Sequence, residues 1–584
     1  MSEGRPLFGM NDDRRIGRLT GMAGFGFLVL VFRLFQLQIV HGPGMANLAE
    51  QNRTQIIPLL GPRGLVKDRK GEVLLDNAPR FSLFYSDSSV PPRAKLTVEA
   101  DMVRWFPQEE VAFRRKIGEA RRSGKMTKIA SQVPREVAFA LLERRPTLPG
   151  VSVVAEPQRY ARYGALASHL LGYVDEISPA ELARFRSQGY RRGQLIGKTG
   201  VERVYDATLR GQDGGLQFEM DANGRHVRTV RRIPSKAGAD LVLTLDRRLQ
   251  ETVENGLRLS PTGRGAAVVV DPRNGAILAL ASAPDFNLSA DRASSLGDPG
   301  LPFFNRAVQG AYPPGSLFKI ATAAGALKNG WNIHTTFFCS GDFPFGGREF
   351  GCWSKHFQKD FMGAMAWSCD VYFYNMGLRL GPKAMGSMAR AFGMGEKSGI
   401  DLPFESSGFV PEKEWKRRVH RTPWFDGDTL NLCIGQGALT VTPLQMAMFL
   451  GAVANGGSLH RPYVVEKSMG PDGQILFVQE PKIRQSIDLS PEIWSRLQKA
   501  MEGVVSEGSG RIVYRKDLVV GAKTGTAQNP HGEDHAWFAA YGGLPGQPAS
   551  LAVVAFVENG GTGSAAAGPI VRQVIDAAFG PERK

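Results

Sequence analysis

The sequence predicts an α+β multidomain protein carrying a single N-terminal transmembrane helix, and three observations predict it. A chain of 584 residues is too long for one hydrophobic core, so two or more domains are expected. An apolar stretch from Leu19 to Val40, uncharged between Met22 and Phe32, is long enough to cross a bilayer. The C-terminal half alternates helical segments rich in Ala and Met with Gly-rich loops, and closes on two strands and a helix. That is the pattern of a sheet covered by helices.

The anchor comes first along the chain. Arg5, Arg14, Arg15 and Arg18 precede it, and no Lys or Arg lies between Val40 and Arg53, which places residues 1–18 in the cytoplasm. Arg33 near the outer end snorkels toward the surface, whereas Gln36 and Gln38 weaken the apolar run. A cleaved signal peptide is the competing reading. It lacks a small-x-small site in Val40-His41-Gly42-Pro43-Gly44, so residues 19–40 are read as an uncleaved anchor, with everything after them outside the membrane.

Hydrophobic residues make up 42% and charged residues 22%, which is globular composition, and the formal charge is +16. Such an excess suits nucleic acid, an anionic membrane surface or an anionic substrate. No zinc-finger spacing, ribonucleoprotein aromatic motif or Lys/Arg block accompanies it, so no nucleic-acid partner is expected. A cationic solvated surface accounts for most of the excess.

From Gln51 to Arg232 the chain is polar and Arg-rich. Asp68-Arg69-Lys70-Gly71 reads as a turn between two short strands, and Pro107–Arg122 and Arg135–Arg145 read as amphipathic helices. A domain boundary falls near Ser235–Ala239. Beyond it come a strand at Asp240–Leu245, a helix at Asp246–Leu257, and a hairpin of buried strands at Ala266–Val270 and Ala276–Ala281. The closing elements are strands at Ala536–Tyr541 and Leu551–Val557 and a helix at Pro569–Phe579.

The chemistry gathers in three short motifs. Tyr312-Pro313-Pro314-Gly315 stops any preceding element, so Ser316 sits at the start of a buried helix, where free N–H groups and the dipole favour negative charge. Lys319 lies one turn on, within reach of the Ser316 hydroxyl, and desolvation would let its neutral amine act as base. Ser368-Cys369-Asp370 follows, and Lys523-Thr524-Gly525-Thr526 lies far downstream. Gly525 is expected to leave a strand edge open to a substrate peptide, with Lys523, Thr524 and Thr526 holding its carboxylate. The backbone N–H groups of Ser316 and Thr526 are candidates for an oxyanion hole. S-x-x-K, S-x-[ND] and K-T-G in this order form a specific set. A second Lys198-Thr199-Gly200 precedes Ser316. There Thr199 and Glu202 suggest a capping box, a structural role.

With these motifs in place the sequence resembles the class B penicillin-binding proteins over nearly its whole length. Arg63-Gly64 with Asp68-Arg69-Lys70-Gly71, and Gly197-Lys198-Thr199-Gly200 with Glu202 and Tyr205, are similar to the family's pedestal motifs. Gly435-Gln436-Gly437 before Thr440, Pro443 and Gln445 resembles a catalytic-domain signature. The resemblance implies an elongated non-catalytic, dimerisation-like pedestal at 41–238 and, at 239–584, a transpeptidase domain of the serine β-lactamase-like fold with an antiparallel sheet. The elongation-type branch, penicillin-binding protein 2, fits better than the division-type branch, because Asp370 replaces the usual Asn and Gln528 stands where division enzymes tend to carry a basic residue.

The resemblance also implies the reaction: Ser316 attacks a D-Ala-D-Ala carbonyl, Lys319 acts as base, Ser368 relays a proton and Asp370 positions them, with β-lactams acylating the same serine. It implies no organic cofactor, a bacterial cytoplasmic membrane location with the catalytic domain in the periplasm, and a membrane glycosyltransferase partner met through residues 19–40 and the pedestal. A β-lactamase, a division-type transpeptidase, or a β-lactam-binding scaffold or sensor that regulates such a glycosyltransferase are the alternatives.

Of the four cysteines, Cys433 reads as a small buried residue. Cys339, Cys352, His356 and Cys369 make a Cys₃His set suited to one structural zinc. A Cys339–Cys352 disulfide is the alternative in an exported protein. Elongation-type relatives resemble the metal arrangement, with the ion near the second-motif serine.

Overall fold

The computed structural model describes residues 11–42, 54–106, 110–124, 126–220, 226–290, 295–530 and 532–582. Arg5, Pro43-Gly44, Arg53 and the start of the Pro107–Arg122 segment lie outside them. The chain forms two compact units that interleave along the sequence. One comprises residues 1–61, 79–158 and 212–236, the other residues 62–78, 159–211 and 237–584.

In the first unit, an α-helix runs over Asn11–Phe35 and a π-helical turn over Gln36–Val40. Residues 16–40 are apolar and long enough to span a bilayer, and their side chains are almost all exposed. The helix starts within the segment expected as a tail, since nothing from Asn11 to Arg18 breaks it. In the same unit, Thr54–Leu59, Gly214–Met220 and His226–Ile233 form a three-stranded antiparallel sheet. The expected amphipathic helices appear as Glu110–Ser123 and Arg135–Glu143. Their apolar faces bury Phe113, Ile117, Ala138 and Leu141 in one core with Leu83 and Tyr85.

The second unit is built on a five-stranded antiparallel sheet. Its order is Ile277–Ala283, Gly265–Val270, Leu551–Val557, His535–Gly543, Val519–Ala527. All of these strands except the last are buried on both faces, which is why they read as continuous apolar runs rather than alternating ones. The period of two still sorts the side chains. Ala266, Val268 and Val270 enter one core, while Ala267 and Val269 enter the other. Leu249 and Val253 of the Arg247–Arg258 helix and Ile570 and Val571 of the Gly568–Phe579 helix cover the second face. The Asp246 side chain caps the Arg247–Arg258 helix by accepting from Arg248 N and Leu249 N. Against the first face packs the helix Pro443–Ala454, and the helices Lys319–Lys328 and Asp370–Ala391, which carry Lys319 and Asp370 of the motifs, lie in the same core.

Arg63 and Glu202, from two of the motifs read as belonging to the pedestal, meet in one buried cluster within this unit. Arg63 donates to Glu202 and, at 2.8 Å, to Asp206, and Arg159 Nε donates to Glu202 at 2.6 Å. Burial alone would raise the Glu202 carboxyl, but Arg159 and Arg63 hold it below the usual range. Thr199 makes no capping bond, contrary to the expected capping box, because Glu202 turns inward to the two arginines. Lys198 pairs with Glu181, and this second Lys-Thr-Gly is structural.

Candidate active site

Pro314 and Gly315 open a single 3₁₀ turn over Gly315–Phe318 that runs directly into the Lys319–Lys328 α-helix. Ser316 lies in this turn and is partly exposed, while residues 319–327 are buried without exception. Gly315 takes φ +54°, and a Cβ there would stand 2.6 Å from Thr526 O, so only glycine lets the turn close on the 519–527 strand. Gly315 N donates to Gly435 O at 3.0 Å, which places Gly435-Gln436-Gly437 beside the serine.

Lys319 is fully buried and donates to Ser368 and Asp370 rather than to Ser316. Its Nζ stands 2.7 Å from Ser368 O, 3.1 Å from Ser368 Oγ and 2.8 Å from Asp370 Oδ1. The expected direct contact with Ser316 is not made, because the carboxylate and the serine together take the three hydrogens of an ammonium. Burial raises the Asp370 carboxyl above its ordinary range, against the pull of Lys319. Ser368 is held at φ +53°, a left-handed conformation uncommon for a residue with a side chain.

Lys523 overturns its expectation as an edge residue. The Val519–Ala527 strand is an edge of the sheet, yet Lys523 is 0% exposed and donates to Ser368 Oγ at 2.8 Å and to Thr524 O at 3.1 Å. Strand alternation turns Lys523 inward and leaves Thr524 and Thr526 on the cavity wall. Burial, reinforced by the nearby Lys319, drops the Lys523 amine well below its ordinary range, with Asp370 opposing. Gly525 lies on that edge strand, and a Cβ on it would come within 3.0 Å of Trp537 Cβ and 3.2 Å of Leu317 Cγ, so its bareness also seats the Gly315–Phe318 turn against the strand.

A cavity of about 670 Å³ is lined by Ser316, Ser368, Asp370, Thr524 and Thr526. Sequence reasoning missed Ser509, another lining residue. Its Oγ lies 2.7 Å from Thr524 Oγ1 and its N donates to Ala366 O at 3.2 Å, tying the second motif's segment to the third motif. The Gly508-Ser509-Gly510 turn was its one signal.

Beside this cavity the ligand atoms of Cys339, Cys352, His356 and Cys369 lie within 4.8 Å of one another. All four cysteines are free thiols, so the disulfide alternative is not formed. His356 Nδ1 faces Cys339 Sγ at 3.8 Å and Cys352 Sγ at 3.4 Å. The hydrogen bond between Cys369 and Cys352 lowers the Cys352 thiol from its ordinary range and raises that of Cys369. A tetrahedral zinc with bonds near 2.3 Å needs its sulfurs roughly 3.8 Å apart, and this donor set suits such an ion. Asp370 N donates to Cys352 Sγ at 3.3 Å, joining the cluster to the second motif.

A serine at the mouth of a buried helix, sharing a cavity with a second serine on which two buried lysines converge, is an arrangement suited to a serine acyltransferase. Comparison with known proteins narrows the class. Residues 265–576 match the family profile described as penicillin binding protein transpeptidase domain, and residues 58–243 match the penicillin-binding protein dimerisation domain. The peptidoglycan D,D-transpeptidase MrdA of Acinetobacter baumannii is 34% identical over 99% of this chain and 90% of its own length. MrdA of Escherichia coli is 32% identical over 94% and 91%. PBP2 of Helicobacter pylori, solved in complex with MreC, superposes with a TM-score of 0.75 at 28% identity, covering 90% of this chain and 98% of that one. A chain of a peptidoglycan synthase complex that coordinates polymerization and crosslinking gives 0.72 at 29%, covering 98% and 99%. The chain belongs to the penicillin-binding proteins, in the elongation-type class B branch.

Proposed function

We propose that this peptidoglycan D,D-transpeptidase works through Ser316. Ser316 Oγ attacks the carbonyl between the two terminal D-alanines of a donor stem peptide. The C–N bond breaks, the leaving D-alanine takes a proton, and the acyl group stays on Oγ as an ester. The observation that carries this reading is the convergence of Lys319 and Lys523 on Ser368 Oγ, at 3.1 and 2.8 Å, on the wall of the cavity that Ser316 also lines. Ser368 is then the relay through which two buried amines exchange protons with the reacting groups, and Asp370 positions Lys319. Thr524 and Thr526 offer hydroxyls to the terminal carboxylate.

The oxyanion falls to the backbone N–H groups of Ser316 and Thr526. Thr526 O lies against Gly315, and N–H and C=O of one strand residue point to the same side, which aims Thr526 N–H at the nucleophile turn. β-Lactams acylate the same serine. Intact-mass measurement after incubation with penicillin tests the assignment: one adduct on the wild type and none on Ser316→Ala is expected, and an adduct persisting on that variant refutes it.

Cys339, Cys352, His356 and Cys369 hold one structural zinc in this reading. Four protein donors leave no open position, so the ion supplies rigidity rather than hydrolysis. Residues 19–40 anchor the chain in the cytoplasmic membrane with the Arg14, Arg15 and Arg18 side inward. Residues 41–238 then serve as pedestal and 239–584 as catalytic domain in the periplasm. A membrane glycosyltransferase partner, supported by the likeness to a synthase-complex chain and by the exposed apolar helix, meets the anchor and pedestal.

A further inference from the structure

A second cavity, of about 370 Å³, adjoins the first, and Asn431 and Gln436 line both. Its walls include two indoles that are held in place. Trp415 packs 4.7 Å from the Phe409 ring and 5.0 Å from His420, and Trp424 Nε1 donates to Thr429 Oγ1 at 2.9 Å. Lys416, also on the wall, is neutralised by its ion pair with Asp428. At the junction, the backbone bond from Gln436 N to Asn431 O at 2.9 Å holds the two residues together on the wall that both cavities share. Neither carboxamide makes a hydrogen bond among the described residues, so both present a donor and an acceptor to whatever enters.

We infer that this second cavity receives the acceptor strand, a stem peptide carrying a free amine, a deepening that rests on the transpeptidase reading above. Cross-linking needs two peptides at one serine. The donor occupies the side of the first cavity walled by Thr524 and Thr526, so the amine has to approach acyl-Ser316 from elsewhere. Asn431 and Gln436 lie where the two cavities meet and match the alternating C=O and N–H of a peptide. The fixed indoles flank an aliphatic side chain that ends in an amine. An uncross-linked acceptor also ends in a carboxylate, and the Lys413–His420 helix and its C-cap expose Arg417, Arg418 and Arg421 toward solvent there. In the step itself the amine nitrogen attacks the ester carbonyl and a C–N bond forms. The C–Oγ bond breaks, and the proton lost by the amine returns to Ser316 Oγ.

The test separates acceptor use from acylation. Full-length protein is given a depsipeptide donor ending in a D-alanyl ester and a synthetic stem tetrapeptide bearing one side-chain amine. The ratio of cross-linked to hydrolysed product is read by mass spectrometry. Trp424→Ala removes one wall, and Ala438→Trp fills the cavity from an exposed position, which keeps the test valid should the first variant fold poorly. A fall of tenfold or more in the ratio, with a raised acceptor KM, is expected for both, while penicillin acylation in the same samples reports on Ser316. An unchanged ratio in a folded Ala438→Trp protein overturns the acceptor assignment alone. Failure of the wild type to acylate at Ser316 overturns the transpeptidase reading beneath it.

Discussion

The amines of Lys319 and Lys523, carried by a helix and by an edge strand, donate to one oxygen, Ser368 Oγ, at 3.1 and 2.8 Å. A hydroxyl has two lone pairs and one hydrogen. With both lone pairs taken, that hydrogen is left for the cavity that Ser316 also lines. The left-handed backbone at Ser368 is the local strain that sets this aim.

The first prediction follows from that shared oxygen. Ser368→Ala removes the junction and leaves both lysines without their common acceptor. Penicillin acylation should slow by about 10²–10⁴-fold, the ordinary contribution of a positioned proton-transfer group. Stopped-flow acylation rates measure it. A wild-type rate would place the relay elsewhere.

Gly525 gives a second prediction. The added methyl of Gly525→Ala meets Trp537 Cβ at 3.0 Å and Leu317 Cγ at 3.2 Å, next to the nucleophile. Overpacking of this kind costs about 1–3 kcal/mol and displaces backbone. Thermal unfolding should show the lost stability, and acylation should fall with it. Unaltered stability and rate together would mean that the strand and the turn are not in contact.

Glu254 should give the second unit a pH dependence. The residue is 8% exposed and burial pushes its carboxyl up to about 7, against hydrogen bonds from Gln250 and Ala167 N and with Asp285 nearby adding to the rise. A folded value above the unfolded one means that the contribution is fully present below pH 4.5 and is lost as pH rises through 7. The loss amounts to about 3 kcal/mol. Glu254→Gln keeps a carbonyl for both donors, so its melting temperature should exceed that of the wild type at pH 8 and match it near pH 4.5. The same difference at both pH values would clear Glu254 of the effect.

The five-stranded sheet, its covering helices and the three motifs were legible in the sequence, because doubly buried strands read as apolar runs and the motif spacing is specific. The destinations of side chains were not. Lys523 looked like an edge residue since a strand's pairing partners do not say which way its lysine points. The Thr199–Glu202 pair matched a capping box locally, and only the distant Arg63 and Arg159 decided otherwise. Ser509 had only its flanking glycines as a signal, because its place in the site depends on a contact with Thr524 on another element, and the sequence does not tell that Asn431 and Gln436 line two cavities.

The Cys₃His cluster supplies the fourth prediction. Elemental analysis should find about one zinc per chain. Chelation should lower the melting temperature and also slow acylation, because Asp370 N donates to Cys352 Sγ. Cys339→Ser should reproduce both effects. Metal-free protein of unaltered stability would remove zinc from the account.

The order of the sheet has a consequence for how the enzyme comes into being. The Gly265–Val270 strand, made before any catalytic motif, takes as its inner neighbour Leu551–Val557, made after all of them. As the chain emerges, the hairpin that the Gly265–Val270 strand forms with Ile277–Ala283 carries one unpaired apolar edge through the synthesis of Ser316, Ser368 and Lys523, and the sheet closes only when the final strand arrives. Pairing so distant in sequence is slow and leaves the unfinished chain prone to aggregation. A chain cut short before Leu551 therefore holds every catalytic side chain and no working centre, so that reactivity toward penicillin reports on completed synthesis as much as on chemistry.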